Sequence, residues 1–292
     1  MVTIPLQDRR GSRTRRAPAR AKKSLGQNFL VDRRVLWHII EAAELSGDDV
    51  VVEVGPGRGF LTSALAERAG RVVAVEVDRD LAERLREWSG DHPNVAVVTA
   101  DAREVDIDSL VVEDAPYKVV ANLPYYAASP IIRRFLEARH KPRLMVVMVQ
   151  REVAQEMTAP PGKMGLLSVA IQLYGKPRIV ASVPPWAFRP APKVTSAVVR
   201  IDLYDRPAVP FDSSERFFHL VKAGFSARRK QLHNSLGRGL DISSEAAGVM
   251  LARAGIDPMR RAQTLSLPEW GELYQAFQGR DWAATALDER EV

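Results

Sequence analysis

The residues best equipped for chemistry lie in VVANLPYYAASPI, residues 119–131. An apolar run, Val119-Val120-Ala121, stops on a carboxamide, Asn122, which Leu123, Pro124, Tyr125 and Tyr126 follow. A carboxamide oxygen and a backbone carbonyl can accept both N–H groups of an exocyclic aromatic amine such as that of adenine. Proline lacks an N–H and restricts the backbone, so the carbonyl of Leu123 or Pro124 can be aimed at that amine. Such bonds favour a pyramidal nitrogen with an available lone pair, which ring delocalisation otherwise withholds. Tyr125 offers a flat face on which the base can stack. Catalysis is then mostly positioning and electrostatics, and the methylated nitrogen is acidic enough to need no strong base. A β-turn with packed tyrosines would use the same residues.

Three further polar landmarks share one property, the end of an apolar run. Glu53-Val54-Gly55-Pro56-Gly57-Arg58-Gly59 closes the first. Glycines allow positive φ and close approach of a ligand, although a tight turn uses them too. The spacing is G-x-G-x-G, and no G-K-[ST] follows, so this is neither the dinucleotide fingerprint nor a P-loop. Glu76 ends the second run, where a carboxylate can accept both hydroxyls of a ribose. Asp101 ends the third and Asn122 the fourth. Ligands of open α/β sheets bind outside the carboxyl ends of the strands. Four consecutive ends able to hold parts of a nucleoside imply an adenosine-bearing cofactor, and the glycine loop by itself leaves a nicotinamide dehydrogenase open.

The scaffold that must bring these ends together is legible as alternating periodicities. Leu36, Ile39, Ile40 and Ala43 have helical spacing. Strands are expected at 50–54, 71–77, 95–99, 117–121 and 144–149, and helices at 60–69, 81–88, 130–138 and 165–174. Strands alternating with helices imply βαβ units and a mainly parallel sheet. Strands at 178–183 and 196–203, joined by PPWAFRPAPK, are expected to pair antiparallel at the sheet edge. Residues 205–212 read as a linker, and only helices are expected beyond it. Ser266-Leu267-Pro268-Glu269 fits a capping box.

Bulk properties narrow the class. A chain of 292 residues, 46% hydrophobic and 27% charged, suits a soluble protein of two domains. It has no cysteine, which excludes disulfides and thiolate metal sites and fits a reducing compartment. No metal site is expected. No apolar run approaches the roughly 18 residues of a membrane span, and no signal-peptide core follows Met1. The net charge is +6, concentrated in an arm with Arg9, Arg10, Arg13, Arg15, Arg16, Arg20, Lys22 and Lys23, and in Arg228-Arg229-Lys230. Basic arms of this kind meet phosphate backbones; a solvated tail and an organelle presequence are the competing readings.

With these residues in hand, the chain resembles the ribosomal RNA adenine N6,N6-dimethyltransferases, specifically the bacterial small-subunit (16S) branch. KKSLGQNFLVD (22–32), EVGPGRGFLT (53–62), VEVD (75–78), NLPY (122–125), PPWAFRPAPKVTSAVV (184–199) and GFSARRKQLHNSL (224–236) carry the resemblance, which covers about residues 22–275. It implies a Rossmann-like class I methyltransferase sheet over 22–204, mostly parallel with an antiparallel edge pair. It also implies a small all-helical RNA-binding domain at 213–292, while residues 1–21, charged, with Pro5 and Pro18 and no periodicity, read as a disordered basic arm. The implied cofactor is S-adenosylmethionine, with Gln27, Asn28 and Leu30 over its methionine end and Glu53, Gly55 and Gly57 in the glycine loop. Glu76 would then bind the ribose, and Asp101 and Ala102 would meet the cofactor adenine. Asn122, Leu123, Pro124 and Tyr125 would hold the target base, with Phe188 packing on its other face, while Lys22, Lys23, Arg228, Arg229 and Lys230 would contact RNA. The implied reaction is dimethylation of two adjacent adenosines near the 3′ end of small-subunit rRNA, in an assembling 30S particle, by a cytoplasmic monomer. DNA adenine methyltransferases usually carry D/N-P-P-Y instead. The large-subunit enzymes of macrolide resistance share NLPY, and a non-catalytic assembly factor would need only the basic surface. Two departures from the family pattern are PPGKMGLLSV, which lacks a tyrosine before its second glycine, and the longer, more basic arm before Lys22.

Overall fold

The structure is a computed structural model that describes residues 21–22, 25–112 and 115–279. Most of the basic arm, Lys23 and the last 13 residues, 280–292, lie outside the described residues. The expected disorder of the arm and the RNA contact of Lys23 therefore fall where nothing is described.

Nine strands and ten α-helices follow in the described residues. They are β1 (Phe29–Leu30), α1 (Arg33–Ala43), β2 (Val50–Val54), α2 (Phe60–Ala66), β3 (Arg71–Glu76), α3 (Arg79–Ser89), β4 (Val95–Thr99), β5 (Tyr117–Asn122), α4 (Ala128–Glu137), β6 (Leu144–Gln150), α5 (Arg151–Met157), α6 (Leu166–Gln172), β7 (Gly175–Val183), β8 (Phe188–Arg189) and β9 (Ser196–Leu203). Then come α7 (Ser214–Phe225), α8 (Leu232–Leu240), α9 (Ser244–Arg253) and α10 (Leu267–Gln278). Seven strands form one sheet in the order β4-β3-β2-β5-β6-β9-β7. β4, β3, β2, β5 and β6 are parallel, while β9 runs antiparallel to both β6 and β7. The expected antiparallel pair at the sheet edge is thus present.

β-branched runs explain the central strands. Val51, Val52, Val72, Val119, Val120, Val146 and Val147 are all buried, because helices cover both faces of a parallel sheet. α1 begins at an Asp32 cap that accepts the N–H groups of Arg34 and Val35, and packs on β6, β7 and β9. Its end is fixed by Lys118 in β5, whose buried ammonium donates to Ala43 O (3.0 Å), Glu44 O and Asp49 Oδ2 (2.9 Å). Arg143 adds a second ion pair to Asp49 at 2.6 Å.

The C-terminal helices are not a detached body. Phe217, Leu220, Trp270 and Tyr274 belong to the same apolar cluster as Val119, Ile132 and Ile171 of the sheet and its helices. Ser266 and Glu269 cap α10 reciprocally, as the capping box requires, and the Arg260 guanidinium holds Glu269 well below the usual carboxylate range.

Candidate active site at the switch point of the sheet

β2 leads outward to β3 and β4, whereas β5 leads to β6 on the other side, so the strand order reverses between β2 and β5. A crevice opens at the carboxyl ends of strands at such a point. There a pocket of about 1020 Å³, partly open to solvent, is lined by the ends of β2, β3 and β5, the segment after β4, and residues 25–30. All four landmarks of the sequence, Glu53, Glu76, Asp101 and Asn122, line it.

The glycine loop forms the floor. Gly55 and Gly57 adopt φ of +70° and +58°, a region open to glycine at little cost. A Cβ on Gly57 would lie 3.0 Å from the Phe29 ring, so the residue also lets the overlying segment come down. The Glu76 carboxylate accepts Gly57 N–H (3.0 Å) and Asp78 N–H (2.9 Å), which ties loop to strand end. Burial pushes that carboxyl up, and the backbone N–H groups offset this only in part. Glu53 is buried deeper. Burial pushes it up to about 8; the neighbouring Thr62 hydroxyl pulls the other way and the charge of Glu76 pushes with burial. Neither Glu53 Oε2 nor Thr62 Oγ1 has an aligned partner.

Asp101 and Ala102 also line the pocket, with Ala102 buried. The Arg103 guanidinium grips both Asp101 oxygens, at 2.6 to 3.1 Å, and holds its carboxyl below the usual range. Gln27, Asn28 and Leu30 lie in the covering segment. Gln27 Nε2 donates to Asp78 Oδ2 at 3.0 Å, and β1 pairs with β8 in the register Leu30↔Phe188. Asn122 Nδ2 donates to Asn28 O at 3.3 Å, which leaves the carboxamide oxygen as the end free to accept. Leu123 is buried and Pro124 half-buried, and the Tyr125 hydroxyl lies 2.6 Å from Ser196 Oγ, which fixes its ring.

One expectation comes out differently. Phe188 does not line the pocket: its side chain is 0% exposed, packed among Leu30, Ile39, Val120 and Met148, and so presents no face to a base. Lys22 has partners on its own chain: it is paired with Asp78 at 2.7 Å and Asp80 at 2.9 Å and pins the covering segment over the end of β3. Burial pushes Asp78 up, but the hydrogen bonds from Lys22 and Gln27 outweigh it and leave the carboxyl below its usual range. Arg228, Arg229 and Lys230 are exposed on the turn between α7 and α8, where Arg228 faces Glu156 at 3.8 Å. Sequence reasoning missed Asp78 as the anchor of this strap; its one signal was the acid following Glu76 in VEVD. Tyr126, at the pocket rim beneath the Arg103 guanidinium, was read only as a packed ring.

The sheet order and the pocket at its reversal define a class I methyltransferase, and solved structures share the arrangement. The 23S rRNA methyltransferase ErmE is 31% identical with a TM-score of 0.67, covering 86% of this chain and 100% of that one. A dimethyladenosine transferase from Plasmodium falciparum, 22% identical, shares the fold at a TM-score of 0.74 over 87% of this chain and 98% of its own. The chain belongs to the ribosomal RNA adenine dimethylase family, whose model matches residues 19–278. Its relatives include the ribosomal RNA small subunit methyltransferase A of Dehalococcoides mccartyi, 47% identical over 251 residues and 86% of each chain. The protein of the same description from Pelotomaculum thermopropionicum is 47% identical over 268 residues, 88% of this chain and 91% of the relative.

Proposed function

We propose that this protein transfers methyl groups from S-adenosylmethionine to the N6 amines of two adjacent adenosines near the 3′ end of small-subunit rRNA, two to each. The observation that carries the reading is the Asn122 carboxamide, anchored through its nitrogen to Asn28 O with its oxygen free, in the lining of the pocket at the strand ends. The relatives at 42–47% identity over most of the chain are small-subunit enzymes, which favours that substrate over the large-subunit one of ErmE at 31%.

The residues present fit the cofactor. A buried acid at the end of β3 suits ribose hydroxyls, glycines 55 and 57 admit a ligand against backbone, and the orphaned Glu53 Oε2 is a polar atom awaiting a partner. When bound, S-adenosylmethionine supplies an electrophilic methyl on a sulfonium. Every other task falls to the chain. Asn122 Oδ1 and the carbonyl of Leu123 or Pro124 accept the two N–H bonds of the target amine and expose its lone pair. Tyr125, held by Ser196, supports the ring, and the β1 segment, strapped by Lys22 and Gln27, covers the pocket and excludes water. The target adenosine must leave its stack to reach this depth. Arg228, Arg229 and Lys230 supply phosphate contacts from an exposed turn. A monomer acting in the cytoplasm on an assembling 30S particle completes the reading.

Incubation with labelled S-adenosylmethionine and unmethylated 30S particles, followed by mass spectrometry of the rRNA, tests it. Dimethyladenosine at two neighbouring positions is expected. Particles that take up no methyl groups would overturn the assignment.

A further inference from the structure

The loop between β7 and β9 carries an aromatic ring with no ring or hydrogen-bond partner among the described residues. Trp186 is 60% exposed, although both neighbours of its turn are fixed. Ala187 is fully buried and accepts Val31 N–H through its carbonyl at 2.8 Å. Phe188 and Arg189 pair in register with Leu30 and Phe29, two residues that line the pocket. The Arg189 guanidinium donates to Trp186 O at 3.1 Å and Phe188 O at 2.9 Å and so braces the turn from outside. The backbone that carries the indole is therefore fixed, and the ring stands exposed one strand pair away from the segment that tethers Asn122.

Its surroundings are cationic. Arg189 and Lys193 are exposed in the same loop, and Arg33 and Arg34 are exposed just beyond Val31. The acid beside them, Asp32, accepts the N–H groups of Arg34 and Val35 at the cap of α1. An exposed flat ring among cations, braced beside a site built for a base, matches single-stranded RNA: bases stack on the ring while the phosphates meet the charge.

We propose that Trp186 is a stacking platform for an unpaired nucleotide flanking the target adenosine, a positioning residue that holds the RNA strand while its neighbour enters the pocket. This rests on the function proposed above. The residue expected to clamp a base from this loop, Phe188, is buried, and Trp186 is the aromatic of the same turn that faces out.

The test measures kcat and KM for unmethylated 30S particles with Trp186→Ala, Trp186→Leu and Trp186→Phe, with calorimetric S-adenosylhomocysteine affinity as the check that each variant is folded. Loss of one base–aromatic stack weakens binding roughly 5- to 150-fold. Trp186→Ala and Trp186→Leu should raise KM by that factor with kcat within about twofold, as expected for uniform binding lost. Trp186→Phe should retain most of the affinity. Wild-type KM in Trp186→Ala overturns the proposal, as does Trp186→Leu performing as well as Trp186→Phe, since that contact would be apolar and not stacked. No methyl transfer by the wild-type protein overturns the assigned activity itself, and this role with it.

Discussion

Replacing Glu53 with glutamine should change how stability depends on pH, and by an amount the structure sets. The carboxyl is 1% exposed, one of its oxygens has no partner, and burial raises it from 4.5 to about 8. Between those two values the folded protein holds a proton that the unfolded chain releases, so stability falls as pH rises through the window. Well inside it each pH unit costs about 1.4 kcal/mol. Because the slope fades near the upper value, the ligand-free protein should lose about 2 kcal/mol between pH 6 and pH 8 through this one group. Glu53→Gln has no proton to lose and keeps the shape. Urea denaturation of both proteins at pH 6 and pH 8 isolates the effect, since every other titrating group contributes alike to the two. The stability difference should move by about 2 kcal/mol in favour of glutamine at the higher pH. Parallel changes in the two proteins would refute the reasoning, because Glu53 would then titrate as an ordinary surface acid.

Asn122→Ala should lower kcat by about 100- to 1000-fold, the scale of losing one oriented polar group, while calorimetry finds cofactor affinity little changed; near-wild-type turnover would remove Asn122 from the mechanism. Glu76→Ala should weaken S-adenosylhomocysteine binding by about 2–3 kcal/mol, since two ribose hydrogen bonds to a charged acceptor disappear, and unchanged affinity would count against the ribose assignment. Lys118→Met should cost about 3 kcal/mol in chemical denaturation, because the buried Asp49 loses its buried cation, keeping Arg143 and Ser46, and two carbonyls of the α1 terminus lose their donor. A cost below about 0.5 kcal/mol would show that the pair is dispensable.

The sheet and the four strand-end residues were legible in the sequence because each rests on a local rule. Val50–Val54, Val95–Thr99 and Ser196–Leu203 are continuous or alternating apolar runs, and their ends coincide with the structure's. Polar residues that close such runs fall at one edge of a parallel sheet whatever the details of packing. The failures are of another kind. α5 begins at Arg151 directly on the last residue of β6, with no turn residue to announce it. β1 and β8 are two residues each, too short for any period, and exist only because they find one another across 158 positions. The burial of Phe188 and the pairing of Lys22 with Asp78 are likewise long-range facts, to which composition and spacing are blind.

That short β1–β8 ribbon sets an order of events on a growing chain. The glycine loop and the acids beneath it can form once the first parallel strands have paired, but the segment above them has nothing to hold it at its far end until residue 189 has emerged. A nascent protein thus owns a floor without a roof while the chain between residues 76 and 189 is made. Tight capture of a cofactor must wait for the last hairpin of the sheet, so an unfinished enzyme cannot sequester the donor.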